Sequence, residues 1–198
     1  MPLTQSTRDR IWLVWFGIQI PVILCVDAVE KYPAWLVADA GAPLHFLHTF
    51  RQWYVATYRD PLIEWTPARD AALGAGGSWM SLFLWIELTF TLPVVFYAVY
   101  RFASKLSSKL SSKPATSAST TGPLELLLLV YALETALTTA VCIHDVGFWN
   151  PAVYSTADKN VFRFQLFGPW FAMPALLFAD MYGRLLARFN VDSAKKTQ

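Results

Sequence analysis

The sequence predicts an all-α membrane protein, a bundle of four transmembrane helices. Of its 198 residues, 55% are hydrophobic and only 15% are charged, whereas soluble domains carry about a quarter charged residues. Nine tryptophans suit a chain that meets lipid interfaces repeatedly. Four apolar stretches, at about 11–29, 78–100, 123–143 and 161–186, are long enough to cross a bilayer, since a spanning helix needs roughly 20 residues.

The first stretch, Ile11–Val29, follows a polar N-terminus (1–10) that carries two arginines. A basic segment before an apolar run is also typical of a signal peptide. Pro21 interrupts the run, however, and Asp27 stands where a cleavage site would need small residues. We therefore expect an uncleaved first helix.

The segment between the first two spans is long and contains four prolines before a glycine cluster at 74–77. Within it, Leu44–Tyr58 is rich in aromatic residues, which predicts a short helix along the membrane face or one that caps the bundle. Asp60-Pro61 should end this helix, because the residue before a proline disfavours the α conformation.

The second stretch, Ser78–Tyr100, contains no lysine, arginine or aspartate and a single glutamate, Glu87, near its middle. A charge there costs several kcal/mol, so Glu87 should be protonated, paired or directed into a cavity. Asp27 in the first stretch and Glu134 in the third would carry the same cost of a charge inside a span. We interpret Asp27 and Glu87 as site residues, the alternative being that they bond Ser, Thr and Tyr across helices and fix packing.

Glu134 leaves these two interpretations equally open, because Thr135 and Thr138 could satisfy it locally. Carboxyl groups from separate helices that meet in one cavity would share protons. Such a cavity would suit a hydrophobic molecule with a cation or a hydroxyl. Its aromatic lining would come from Trp85, Phe90, Phe167 and Trp170.

The connector at 104–122 is rich in Ser, Thr and Ala and repeats the unit K-L-S-S, so it predicts a flexible linker. A short polar turn should separate the third span from the fourth, in which two prolines predict kinks. The membrane domain then covers 11–187, and 188–198 forms a tail.

The distribution of basic residues predicts that both termini lie in the cytosol. With four spans, the N-terminus, the connector and the tail share one side, which holds ten of the sixteen lysines and arginines. These ten are Arg8, Arg10, Arg101, Lys105, Lys109, Lys113, Arg184, Arg188, Lys195 and Lys196.

Lys195 and Lys196 occupy the fourth and third positions from the C-terminus. In a cytosolic tail this dilysine spacing predicts retrieval to the endoplasmic reticulum. The alternative is an ordinary basic tail attracted to anionic membrane lipid.

Other chemistry is not indicated. The adjacent pair His144-Asp145 is too small a ligand set for a metal, and the sequence predicts neither a metal nor a cofactor. Cys25 and Cys142 lie inside apolar stretches and are expected to be buried thiols. The basic residues are dispersed, so no nucleic-acid partner is expected.

Asp180 lies one helical turn before Arg184 and should pair with it.

Three segments together resemble the EXPERA-domain family, and within it the branch of the sigma-2 receptor and its fungal counterparts, which are linked to efficient mitochondrial targeting. The segments are I-P-V-I-L-C-V-D at 20–27, W-Y-V-A-T-Y-R-D-P-L at 53–62 and S-L-F-L-W-I-E-L-T-F-T-L-P at 81–93. The resemblance extends to 123–187 through the helix pattern and Gly168-Pro169-Trp170, but not to 104–122.

The resemblance implies a four-helix protein of the endoplasmic reticulum, commonly dimeric, that binds sterols or cationic amphiphiles among membrane lipids and affects sterol trafficking or membrane-protein quality control. It implies that Asp27 faces the ligand, that Asp60 holds Asp27, and that Glu87 forms a third polar wall. The other ligand-binding residues it implies are Thr91, Thr138, Phe167 and Trp170. Glu134 departs from the family and is a possible additional one.

The same family includes a sterol isomerase that moves a ring double bond from the Δ8 to the Δ7 position, so isomerisation is the alternative function. That reaction needs an acid and a base, and Asp27 and Glu87 match two carboxyl groups of the isomerase. The isomerase also has a histidine one turn before the first acid, where this chain has Ile23. We therefore favour binding over catalysis.

Overall fold

The computed structural model describes residues 3–64, 66, 79–110 and 120–196, without the side chains of 108–110 and 191–196. This part of the chain contains four helical segments long and apolar enough to cross a membrane. The four-span, all-α prediction is confirmed. The spans are Gln5–Lys31, Trp79–Ser107, Gly122–Phe148 and Thr156–Asn190, all longer than the apolar stretches alone indicate.

The first span begins as helix α1 (Gln5–Val22). Thr4 caps it, and the Thr4 hydroxyl accepts a hydrogen bond of 3.2 Å from the Thr7 N–H. Past Pro21 the chain widens into a π-helical turn, Ile23–Asp27, and then tightens into a 3₁₀ turn, Ala28–Lys31. The helix therefore changes its winding where the first acidic residue stands.

Between the first two spans lie α2 (Ala34–Val37) and α3 (His45–Tyr58). The short aromatic helix predicted from 44 to 58 is confirmed. It ends where Arg59 adopts a left-handed conformation with φ of 54°, and the Arg59 N–H bonds the Val55 carbonyl at 2.8 Å. The chain thus leaves the helix immediately before Asp60-Pro61.

The second span consists of α4 (Trp79–Ile86), a π-helical turn (Glu87–Thr91) and α5 (Leu92–Leu110). The prediction of a flexible linker from residue 104 was wrong as far as Leu110, because the helix continues to that residue. The repeated K-L-S-S unit has a period of four, close to a helical turn, and extending an existing helix is much easier than nucleating one. Residues 111–119 of the predicted linker lie outside the described part of the chain.

The third span is α6 (Gly122–Asp145) followed by a 3₁₀ turn, Val146–Phe148. The fourth combines α7 (Thr156–Asn160), a π-helical segment (Val161–Leu166) and α8 (Phe167–Lys196). The polar turn predicted at 144–160 is therefore shorter, because helical structure occupies both of its ends. A reciprocal capping box between Ser155 and Asp158 starts α7.

The chain forms two compact units, Met1–Val99 and Tyr100–Gln198. In the first, α3 packs against the π-helical turn that ends in Asp27. In the second, α6 and α8 pack along each other. Side chains with no exposed surface lie on both of these helices, namely Leu128, Tyr131, Leu177 and Met181.

A buried ion network joins the start of α6 to the end of α8. The Glu125 carboxylate has no exposed surface and accepts hydrogen bonds from Arg188 Nε at 2.5 Å and Arg188 Nη2 at 2.9 Å. Arg184 donates to Thr120 Oγ1 at 3.1 Å and pairs with Asp180 at 2.7 Å. The predicted pairing of Asp180 with Arg184 is confirmed.

Candidate functional site

The first unit contains a group of polar side chains that we call the acidic cluster: Asp27, Glu30, Arg51, Tyr54 and Asp60. Two of its members lie at the end of the first span, two on α3, and one in the turn after α3. Three carboxyl groups therefore surround one guanidinium and one phenol.

Asp60 is held by the turn that it begins. Its Oδ1 accepts a 3.0 Å hydrogen bond from the Leu62 N–H, a local bond typical of an Asx turn. The Tyr54 hydroxyl reaches Asp60 Oδ2 at 3.5 Å. Asp60 is only 1% exposed, and this burial raises its pKa to about 6, against the opposing effect of its hydrogen bonds. The site thus contains a carboxyl group whose pKa is raised well above its ordinary value by burial.

Asp27 lies at the last position of the first π-helical turn and is half-buried. The charges of Asp60 and Arg51 both act on its carboxyl group. The structure thus brings Asp27 and Asp60 into one site, although they are more than thirty positions apart in the sequence. The sequence-based role of Asp60 as the partner of Asp27 remains a prediction.

Arg51 ties three segments together. Its Nη1 forms a 2.5 Å ion pair with Glu30 Oε1 at the end of the first span, and its Nη2 donates to the Ile63 carbonyl. Burial lowers the pKa of Arg51, and the neighbouring carboxylates, Glu30 first, oppose this shift. Arginine stays protonated in proteins, so one fixed positive charge balances part of the cluster.

Tyr54 faces the same carboxyl groups from the next turn of α3. Burial raises the pKa of its hydroxyl, and the charges of Asp60 and Asp27 raise it further. Tyr54 therefore remains a neutral hydrogen-bond donor at physiological pH. It can stabilise an ionised carboxylate beside it without adding charge.

Glu87 and Thr91 occupy the two ends of the π-helical turn in the second span. Glu87 is half-buried and Thr91 is 4% exposed. Closer to the start of the second span, Ser81 Oγ accepts a 3.0 Å hydrogen bond from Lys31 at the end of the first span. The Lys31 ammonium also lies 5.4 Å from the centre of the Trp85 ring. The start of the second span is thus fastened to the segment that carries Asp27 and Glu30.

π-helical turns occur in three of the four described spans, and each lies at predicted site residues. They contain Asp27, Glu87 with Thr91, and the residues directly before Phe167. A proline lies within three residues of each turn, where it removes a main-chain donor and loosens the regular helix. π-helical bulges are frequent at functional sites.

In the second unit, the Glu134 side chain is half-buried and accepts a 3.2 Å hydrogen bond from Thr135 Oγ1. Thr138 donates to the main-chain oxygens of Glu134 and Thr135, each at 3.1 Å. Of the two threonines considered as local partners for this carboxyl group, Thr135 therefore reaches it, while Thr138 bonds the backbone.

Phe167 and Trp170 lie at the start of α8, and both are half-buried. Phe167 adjoins the ring of Phe162 with centroids 6.1 Å apart. Thr139 Oγ1 reaches the Trp170 carbonyl at 3.5 Å, which fixes this part of α8 against α6. Gly168 allows the close turn here, because a Cβ at that position would lie 3.2 Å from the Arg163 carbonyl oxygen.

Three members of the acidic cluster were not predicted as site residues: Glu30, Arg51 and Tyr54. Tyr54 falls inside the W-Y-V-A-T-Y-R-D-P-L segment, which could have singled it out. Glu30 and Arg51 are twenty-one positions apart, so only the folded chain pairs them. The side chains of Lys195 and Lys196 lie outside the described part of the chain, although α8 reaches Lys196.

Chemically, the cluster can hold a positive charge or a hydrogen-bond donor. With its acids ionised, three negative charges exceed the single charge of Arg51, so a cation is attracted. With Asp60 protonated, its carboxyl group is neutral and can itself donate a hydrogen bond.

Comparison with known proteins places these features in a family. The family model of EXPERA, the expanded EBP superfamily, matches residues 46–181. Efficient mitochondria targeting-associated protein 19 of Schizosaccharomyces pombe is 23% identical over 186 residues, covering 94% of this chain and 81% of that protein.

Proposed function

Because the chain belongs to the EXPERA family, we propose that it is an intramembrane binding protein for sterols and cationic amphiphiles, similar to the sigma-2 receptor. Its role would lie in sterol trafficking and homeostasis or in membrane-protein quality control. The association of the fission-yeast relative with mitochondrial targeting is a further role that the family resemblance suggests.

The observation that carries this proposal is the acidic cluster. Asp27 and Glu30 are the half-buried acids of the group, whereas Asp60 and Arg51 are 1% and 8% exposed. Asp60 and Arg51 are also bonded to the turn after α3, so they support the site from behind. Because Glu30 is already paired with Arg51, Asp27 is the acid that we propose as the ligand contact.

The chemistry follows from charge. An ammonium group would pair with the Asp27 carboxylate, and a charge-assisted bond of this kind contributes about 1.5–3 kcal/mol. A sterol hydroxyl would donate to the same oxygen in a weaker neutral bond. Glu87, Thr91, Thr138, Phe167 and Trp170 are proposed as further ligand contacts, and Glu134 as an additional polar one.

Sterol Δ8–Δ7 isomerisation remains the alternative function, with Asp27 and Glu87 as acid and base. Both residues lie in π-helical turns of their spans, and acids with separated pKa values can perform such chemistry. Against it, the position where the isomerase has histidine is held by Ile23, a buried apolar side chain that is 2% exposed. Ile23 cannot transfer a proton.

We propose that the protein resides in the membrane of the endoplasmic reticulum with both termini in the cytosol. The excess of basic residues on one side and the Lys195-Lys196 tail support this placement. A homodimer is proposed from the family resemblance alone. Crosslinking in native membranes tests it, and recovery of monomer only would contradict it.

The decisive experiment replaces Asp27 by Asn, which keeps the shape and removes the charge. The affinity for a lipophilic amine should fall about tenfold to a hundredfold, at about 1.4 kcal/mol per decade. Cholesterol affinity should fall less, because the amide can still bond a hydroxyl. Binding of both probes to the detergent-purified protein measures the difference.

Asp39→Asn is the matched control, since Asp39 is an exposed acid in the same loop region, and it should leave both affinities unchanged. An equal, small effect of Asp27→Asn on both probes would make Asp27 a packing residue. Turnover of a Δ8 sterol by the wild type, lost in both Asp27→Asn and Glu87→Gln, would replace the binding proposal with the isomerase.

A further inference from the structure

Helix α3 has two different faces. The face toward the acidic cluster holds Leu47 and Arg51, which are 6% and 8% exposed, and the half-buried Tyr54. The adjoining face, which we call the aromatic face, consists of Phe46, Thr49, Phe50, Trp53 and Thr57. Its three aromatic rings are 63%, 43% and 54% exposed in chain order.

Apart from the Trp53 indole N–H, the aromatic face offers water almost nothing to bond. Thr49 Oγ1 donates to the His45 carbonyl at 3.3 Å, and Thr57 Oγ1 donates to the Trp53 carbonyl at 2.8 Å. Both hydroxyls are therefore satisfied by their own helix. None of the five residues is ionisable, and the charge of α3, on Arg51, lies on the other face.

The aromatic face is also ordered by its own contacts. Phe50 and Trp53 are stacked with ring centroids 5.7 Å apart, and Tyr58 meets the edge of Trp53 at 6.3 Å. Along the helix, Phe46, Phe50, Trp53 and Thr57 recur with spacings of four, three and four, which places them on one stripe. An exposed, continuous apolar stripe on a folded helix indicates a contact with another molecule or with the membrane.

The size of the stripe favours a membrane over a second protein copy. A large aromatic side chain buries about 150–250 Å² when fully covered, so three half-exposed rings offer about 300 Å². Two copies would bury about 600 Å² between such faces, whereas stable interfaces bury about 1,200 Å² or more. A lipid surface has no such minimum area, because the protein is already held in the membrane.

The position of α3 in the chain also favours a contact with the membrane. It begins fourteen residues after Lys31, where the first span ends, and the connecting α2 carries Trp35 with 68% of its surface exposed. Aromatic rings partition into the boundary between headgroups and acyl chains, where amphipathic helices lie flat. Because α3 packs against the end of the first span, it lies close to the edge of the bilayer that this span is long enough to cross.

We propose that α3 lies in the interface of the bilayer, with the aromatic face in the lipid and the adjoining face, which holds Leu47, Arg51 and Tyr54, turned toward the acidic cluster. The bilayer is then a structural partner of the loop between the first two spans. It holds Arg51 and Tyr54 at a fixed depth beside Asp27 and Asp60. This placement is independent of which ligand the cluster binds.

The test compares two sites on the same helix, two residues apart and on different faces. In a background with Cys25→Ser and Cys142→Ser, a fluorescent label is attached to Phe50→Cys or to Gln52→Cys, both exposed positions. Each labelled protein is reconstituted into vesicles of phosphatidylcholine brominated on the upper part of its acyl chains. Iodide in the water serves as the opposing quencher.

The label at 50 should lose more than half of its emission to the brominated lipid and be protected from iodide, while the label at 52 should show the reverse. Equal quenching of the two labels by lipid would overturn the proposal. A label at 50 that neither quencher reaches would show a protein partner or a second copy on this face, and would overturn it too. Circular dichroism confirms that both variants retain the helical content of the wild type, so a misfolded variant is recognised directly.

Discussion

At the scale of single residues, the site depends on how much of each carboxyl group water can reach. Asp60 is almost completely buried, yet it accepts the Leu62 N–H and lies near the Tyr54 hydroxyl. Burial outweighs these bonds, so the pKa of Asp60 rises from 3.8 to about 6. The folded protein therefore holds this proton more tightly than the unfolded chain does.

The pH dependence of stability follows from that difference. Between about pH 4 and pH 6 the unfolded chain loses the Asp60 proton and the folded protein keeps it, so the contribution of Asp60 to stability falls as the pH rises through this window and does not change further above it. The shift corresponds to about 3 kcal/mol. Thermal unfolding in detergent from pH 4 to 7 should show this decline in the wild type and a smaller one in Asp60→Asn.

Asp39→Asn again provides the control, because its exposed side chain should leave the slope of the wild type unchanged. Identical slopes for the wild type and Asp60→Asn would mean that Asp60 ionises at the same pH in the folded and unfolded states.

At the scale of helices, the second unit is held together by an ion pair between residues 63 positions apart, with a buried carboxylate and a partly exposed guanidinium. Glu125 is completely buried, and Arg188 contacts both of its carboxylate oxygens from α8. Removing one partner of such a pair leaves a buried charge without its counterion, which costs more than the pair itself contributes. The free energy of unfolding should therefore respond very differently to a single substitution in this pair and to replacement of both residues.

Arg188→Met should lower the free energy of unfolding by about 3 kcal/mol, because it leaves the Glu125 carboxylate uncompensated. The double variant Glu125→Leu with Arg188→Met replaces both charges by apolar groups and should recover much of that loss. Thermal unfolding of the purified variants gives the comparison. A double variant that is less stable than Arg188→Met alone would show that the ion pair is a net source of stability.

At the scale of the whole molecule, the four described spans make the chain a multi-pass membrane protein. An even number of crossings places the N-terminus, the 101–122 segment and the C-terminal tail on one side. The excess of basic residues on that side predicts that it is the cytosolic one. The tail is then exposed to cytosolic sorting receptors.

Replacing Lys195 and Lys196 by Ser should let a tagged protein leave the endoplasmic reticulum, because a dilysine retrieval signal requires both lysines. Replacing Lys105 and Lys109 by Ser removes the same charge from the same side and should leave localisation unchanged. Co-localisation with reticulum and Golgi markers measures both. If the tail variant stays with the reticulum marker, Lys195 and Lys196 are not the retention signal.

The sequence by itself determined the number of spans and the helix at 45–58, and it singled out Asp27 and Glu87 as candidate site residues, whereas Asp60 entered through the family resemblance. Apolar length, proline position and isolated acids in apolar runs are local properties, and they can be recognised without a fold. The end of α5 was mispredicted, because a Ser-rich composition was taken to outweigh the ease of extending a helix from a span.

Only the tertiary structure decided which distant residues meet. It paired Arg51 with Glu30, joined Arg188 to Glu125, and buried Asp60 beside Tyr54. It also revealed the π-helical turns at Asp27 and Glu87, which were not predicted from the sequence. The physical reason is that the cost and benefit of a charge depend on its partners and on the water around it, and both are set when separate helices pack together.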